Sequence, residues 1–181
     1  MECTQSGSQL NEIPMPATIY LFRHGKVDKD KNYDILAPAG EEFRDWLPSF
    51  FQKRRVRLDS VFFDASDGAK RCVTTLDKVV CGSRTEYGPG RPHKTLNAVL
   101  GCLTAGQHAI CCRGDSIESG QLYHVKDFDL HTPFSFSDHA RKASDRMKSS
   151  YHVIYVLECT EGVWQQTDKI PMPPLERVMN S

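Results

Sequence analysis

The stretch Ala17-Thr18-Ile19-Tyr20-Leu21-Phe22-Arg23-His24-Gly25 decides how this chain is read. Ala17 to Phe22 is short and almost continuously apolar, as a strand buried on both faces should be. It stops abruptly at a guanidinium, an imidazole and a glycine. Two further apolar runs end in the same manner. Ser60-Val61-Phe62-Phe63 runs into Asp64-Ala65-Ser66, and Ala109-Ile110-Cys111-Cys112 runs into Arg113-Gly114.

The intervening segments carry helical spacing. Gly40 to Arg54 places Phe43, Leu47, Phe50 and Phe51 three to four residues apart. Pro48 opposes that helix and predicts a kink or break, since an interior proline costs ~3 kcal/mol. Ala69 to Val80 reads as a second helix, and Lys94 to Leu103 as a third, with Leu96, Val99, Leu100 and Leu103 on one face. Lys26 to Asp34 reads as a polar loop, and Gly82 to Pro92 as a turn-rich segment. Asp115-Ser116-Ile117-Glu118 has capping-box spacing and predicts a fourth helix. Residues 126–150 are polar and carry no period. His152 to Glu158 and Val163 to Thr167, joined by Thr160-Glu161-Gly162, read as a hairpin.

Strands alternating with helices predict an α/β domain, a three-layer α/β/α sandwich on a mostly parallel central sheet. Residues 1–16 read as a leader, 17–170 as one domain and 171–181 as a proline-rich tail. In open α/β sheets ligands bind beyond the carboxyl ends of the strands. The polar ends of the three strands therefore predict one shared site.

Composition narrows the partners. With 23 basic and 23 acidic residues the net charge is zero, which gives no electrostatic case for nucleic acid or an anionic membrane. The basic run from Lys53 to Arg57 falls at a predicted helix end, where cations oppose the helix dipole. No stretch approaches the ~20 apolar residues that span a bilayer. The opening Met1 to Gly7 lacks the pattern of a secretion signal. Seven cysteines, none spaced Cys-x-x-Cys, suit buried thiols in a reducing, cytoplasm-like compartment rather than bridges or a zinc site.

Leu21-Phe22-Arg23-His24-Gly25 at a strand end resembles the Arg-His-Gly signature of the histidine phosphatase superfamily, which includes phosphoglycerate mutases and phosphohistidine phosphatases. Its surroundings extend the likeness. Leu36-Ala37-Pro38-Ala39-Gly40 before Glu41 resembles the family's Leu-Thr-x-x-Gly segment opening its first helix. Asp59 to Ser66 resembles its second strand, and Tyr155-Val156-Leu157-Glu158 with Gly162-Val163-Trp164 its last hairpin. The family's Arg-x-x-x-Thr helix fits in two registers, Lys70 with Thr74 or Arg71 with Thr75. The bidentate fork that matches phosphate favours arginine. The likeness covers roughly residues 17–170, and is vague over 82–107 and 119–150.

The resemblance implies a metal-independent phosphatase without cofactor, working through a phosphohistidine on His24. It implies phosphate clamping by Arg23 and by Arg71 or Lys70, and close backbone approach at Gly25. The substrate would be a phosphorylated small molecule or a phosphoprotein. Where the family carries its second histidine, this chain has Arg113, followed by Gly114. Arginine can clamp phosphate but cannot exchange a proton near neutral pH. The alternative is therefore a phosphate-binding module, a pseudophosphatase that has lost catalysis. Mutase activity would require phosphoglycerate contacts that the sequence does not display.

His108 lies five residues before Arg113 on one strand, ~16 Å away at strand rise, which is too far to substitute. His93, His124, His131 and His139 have no predicted placement. Glu86 is the candidate general acid, while Asp115 and Glu118 are better explained as helix caps. The short span between Thr75 and Arg113 leaves little room for a lid. An open site of the short phosphohistidine phosphatase type is therefore expected. Oligomeric state is not legible.

Overall fold

A computed structural model describes residues 16–66, 70–114, 125–126 and 151–173. Its centre is a seven-stranded sheet. β1 (Ala17–Arg23) lies between the parallel β6 (Gln107–Cys112) and the antiparallel β8 (Val153–Thr160). β4 (Leu58–Asp64) flanks β6, and β5 (Cys81–Tyr87) forms the edge beyond it. On the other side β9 (Val163–Pro171) and the two-residue β7 (Val125–Lys126) complete the order β5-β4-β6-β1-β8-β9-β7.

The alternation of β1 explains its unbroken apolar sequence. Ala17, Ile19 and Leu21 face one side, where they pack with Leu96, Val99 and Leu100 of α3 (Leu96–Cys102). Tyr20 and Phe22 face the other. They meet Phe43, Leu47, Phe50 and Phe51 of α1 (Pro38–Lys53) and Cys72 and Leu76 of α2 (Arg71–Leu76). Two buried clusters on opposite faces of one sheet make the three layers expected from the sequence.

Several boundaries differ from expectation for identifiable reasons. Helix α1 starts at Pro38 rather than Gly40, because proline has no N–H to leave unsatisfied in a first turn. It also runs unbroken through Pro48. Burial of four large side chains holds it there although Pro48 cannot donate to the Arg44 carbonyl. Helix α2 ends at Leu76, short of the β-branched Val79-Val80; Ala69 lies outside the described residues.

The predicted loop from Lys26 contains a hairpin of β2 (Val27–Asp28) and β3 (Asn32–Leu36). Among the described side chains of that pair only Val27 and Leu36 are buried apolar groups, too few to show a period. The predicted turn at Gly82 to Pro92 is instead strand β5 up to Tyr87. An edge strand mostly exposed to solvent has no apolar pattern to reveal it. The last hairpin forms as expected, with Glu161 (φ 54°) and Gly162 (φ 79°) making the two-residue turn. Strand β9 extends four residues past the predicted Thr167. The predicted helix at Asp115 and the aperiodic residues 127–150 lie outside the described residues. Among the described residues no helix is long and apolar enough to cross a membrane.

Pro48→Ala restores a donor inside α1 without touching its buried face. It is expected to raise the unfolding free energy by about 1–3 kcal/mol in urea titration.

Candidate active site

Strands β4, β6 and β1 are neighbours and parallel, so their carboxyl ends open on one edge of the sheet. Arg23 pairs with Cys112 in the β1–β6 ladder, and the His24 N–H continues it by donating to the Cys112 carbonyl at 3.0 Å. Arg113, the next residue on β6, thus stands beside His24 one step past the last pair.

His24 is 3% exposed. Its Nδ1 lies 2.8 Å from the Gly25 carbonyl oxygen. A carbonyl can only accept, so the neutral ring carries its proton on Nδ1 and keeps its lone pair on Nε2. Burial, chiefly, pushes the imidazole down to about 4. The charges of Arg23, Arg71 and Arg113 push the same way, and the Gly25 carbonyl bond opposes them. The ring is therefore neutral at physiological pH, the state a nitrogen nucleophile needs.

Gly25 is fixed from three directions. Its carbonyl accepts from His24, and its N–H donates to Thr75 Oγ1 at 2.9 Å. A β-carbon there would stand 2.8 Å from the Gly40 carbonyl oxygen, so the missing side chain lets the first turn of α1 close on the loop. Thr75 is buried in α2, and its hydroxyl donates to the Arg71 carbonyl at 2.8 Å. Arg71 and Thr75 lie four residues apart on the inner side of α2, and the Arg71 charge acts on His24. Arg71 Nε is buried and meets no acceptor among the described residues. The alternative register faces away: Lys70 is exposed, its backbone N–H donates to Asp34 Oδ1, and the Thr74 hydroxyl donates to the Lys70 carbonyl.

Gly114 explains how Arg23 is seated. A β-carbon at Gly114 would lie 2.5 Å from Arg23 Cζ, so the guanidinium rests on the glycine backbone. Arg23 Cζ also lies over the Tyr151 ring, 3.8 Å from its centroid. Tyr151 also meets the His24 ring in a T-shaped contact, at 5.8 Å between centroids. The sequence offered no sign of Tyr151 or of the adjacent His152, whose Nε2 accepts from the Lys26 N–H at 3.3 Å. An open cleft of ≈ 540 Å³ borders Tyr151, lined by Lys26 to Asp30 and by Ala37 and Pro38.

Other candidates are not brought to this place. Glu86 sits on edge strand β5, ~14 Å from β1 at ~4.8 Å per strand, and pairs with Arg91 Nη2 at 2.7 Å. Solvent exposure on an edge strand, with a local cation, keeps it from His24. His108, at the opposite end of β6, is satisfied by Ser60 Oγ and the Ala105 carbonyl, both at 2.7 Å. His93 packs against Phe62. His124, His131, His139, Asp115 and Glu118 lie outside the described residues.

No protein-family model matches the chain, and no curated protein matches it in sequence. Solved structures do match. One from Agrobacterium tumefaciens, provisionally assigned as the phosphohistidine phosphatase SixA, is 18% identical with a TM-score of 0.57. That match covers 86% of this chain and 97% of the other. A second with the same provisional assignment, from Nakamurella multipartitia, is 15% identical with a TM-score of 0.57, over 90% and 99% of the two chains. A third, the protein histidine phosphatase SixA complexed with tungstate, is 12% identical with a TM-score of 0.59, over 85% and 96%. This chain therefore has the phosphohistidine phosphatase fold, as the histidine phosphatase resemblance implied.

Two measurements follow from the geometry. In the folded chain His24 and His152 are both held near 4, whereas unfolded histidine titrates near 6.5. Between those values the unfolded chain binds more protons, so stability is full above pH 6.5 and falls as pH drops toward 4. The loss reaches on the order of 3 kcal/mol per histidine. His24→Gln should remove about half of that slope in urea titrations across this window. Separately, Gly114→Ala should displace the Arg23 guanidinium while leaving the core intact. Inorganic phosphate affinity is expected to fall about tenfold by calorimetry, with the melting temperature nearly unchanged.

Proposed function

We propose that the chain is a metal-independent phosphatase in which His24 Nε2 attacks the phosphoryl group. The observation that carries this reading is the buried, neutral His24, with its proton parked on Nδ1, under the field of three guanidinium groups. Phosphoryl transfer is governed mainly by positioning and by stabilising charge on the transferred oxygens. Arg23, Arg71 and Arg113 supply that charge, and the buried Arg71 Nε–H is a donor that a phosphate oxygen would satisfy.

The P–Nε2 bond forms as the bond from phosphorus to the leaving group breaks. Water then attacks the phosphohistidine, releasing inorganic phosphate and restoring His24. The loop that carries Nε2 is held by Thr75 and by the α1 turn at Gly40, so attack requires no rearrangement of the nucleophile. The open cleft beside Tyr151 leaves room for a bulky substrate, a phosphorylated small molecule or a phosphoprotein. The similar structures named as phosphohistidine phosphatases support the second of these.

Arg113 favours one other reading. Arginine side chains hold charge but do not serve as proton donors to a leaving group. A pocket of this kind also suits a binding module that holds a phosphorylated partner without turning it over.

Hydrolysis of an aryl phosphate without added metal separates the readings. Turnover in the wild type that falls roughly 10³-fold or more in His24→Ala, with an acid-labile phosphoryl label on the wild-type protein, is the expected result. Turnover unchanged in His24→Ala would overturn the nucleophile assignment. No wild-type turnover, with activity appearing in Arg113→His, would establish the binding module instead.

A further inference from the structure

Tyr151 stands outside every motif of the sequence, yet it touches both Arg23, the last residue of β1, and His24 after it. Strand β8 runs antiparallel to β1 with Ile154 opposite Phe22. Beyond that last pair the chain preceding β8 carries Tyr151 to His24, their rings 5.8 Å apart between centroids. The corner is anchored at His152, which adopts the left-handed backbone (φ 62°) uncommon for a side-chain-bearing residue. Its ring stacks on Phe43 at 5.1 Å, its Nε2 accepts from the Lys26 N–H, and its carbonyl accepts from the Met172 N–H at 2.9 Å. Those three contacts hold the preceding residue in place.

From that anchored position the Tyr151 ring holds Arg23 Cζ over its face at 3.8 Å, while the missing side chain of Gly114 leaves room for the guanidinium. Arginine is flexible, and a clamp that had to be ordered at each binding event would lose affinity to side-chain entropy. A cation held over an aromatic face has its planar fork oriented by the ring.

We infer that Tyr151 is a positioning residue of the phosphoryl site, acting through Arg23. The inference rests on the anion-binding part of the proposed function. It assigns the contribution to the ring face, with none to the phenol hydroxyl.

The test is equilibrium binding of inorganic tungstate to the full chain. Tyr151→Phe keeps the face and should bind within about twofold of wild type. Tyr151→Leu should weaken binding about tenfold. Pentafluorophenylalanine at this position keeps the shape but reverses the ring quadrupole, so it should behave like leucine even if Tyr151→Leu folds poorly. In the Arg23→Ala background, the change at position 151 should have no further effect. Additive losses, or full affinity with the fluorinated ring, would overturn the inference while leaving the anion site intact. Absence of wild-type tungstate binding would overturn the anion site itself, and the inference with it.

Discussion

The peptide at Gly25 is where strand β1, helix α1 and helix α2 are tied together, and the site depends on that tie. Its carbonyl selects the tautomer of His24, and its N–H is taken by Thr75 of α2. Its bare Cα lets Gly40 of α1 approach to a distance that a side chain would forbid. A loop bonded by one of these alone could move against the sheet, but bonded by all three it moves only if a helix moves. The imidazole therefore inherits the rigidity of the three-layer core, which is what preorganisation requires in structural terms.

Electrostatics then sets the chemistry. Three guanidinium charges bearing on one residue repel one another, and an ionised imidazole among them would add a fourth cation in a desolvated place. Burial resolves the conflict by keeping His24 neutral. Thr75 contributes indirectly, because its hydroxyl fixes the α2 backbone from which Arg71 projects. Arg23 is restrained differently, by a ring on one side and a glycine on the other. The guanidinium charges that add to the effect of burial on the imidazole would also attract an anion.

How much of this was legible follows from which interactions leave a trace in sequence. Strand β1 was readable because burial on both faces demands an unbroken apolar run, and the three polar strand ends pointed to one edge of the sheet. The choice between Lys70 with Thr74 and Arg71 with Thr75 was not readable. Both pairs have the same four-residue spacing, and only the side of α2 that packs on Gly25 separates them. Strands β5 and β3 were missed because exposed backbone pairing needs no apolar side chain. Tyr151 and His152 were missed for a related reason. Their importance comes from the register of β8 against β1 and from a left-handed backbone, neither of which a single residue type announces.

Arg113 shows how a fold can keep its geometry while changing what it can do. The position is set by the parallel ladder, since Cys112 pairs with Arg23 whichever side chain follows it. At that position a histidine would offer a titratable proton and an arginine offers a permanent charge. In the proposed reaction the nucleophilic half would rest on His24, held by Gly25 and Thr75. The leaving-group half would need a proton that an arginine at position 113 does not supply. A leaving group that departs without protonation loses little by the exchange, and one that departs as a strong base loses the most. Under the proposed function Arg113 would thus weight the site toward reactive phosphoryl donors, and toward holding unreactive ones, within a fold that the solved structures share at 12–18% identity.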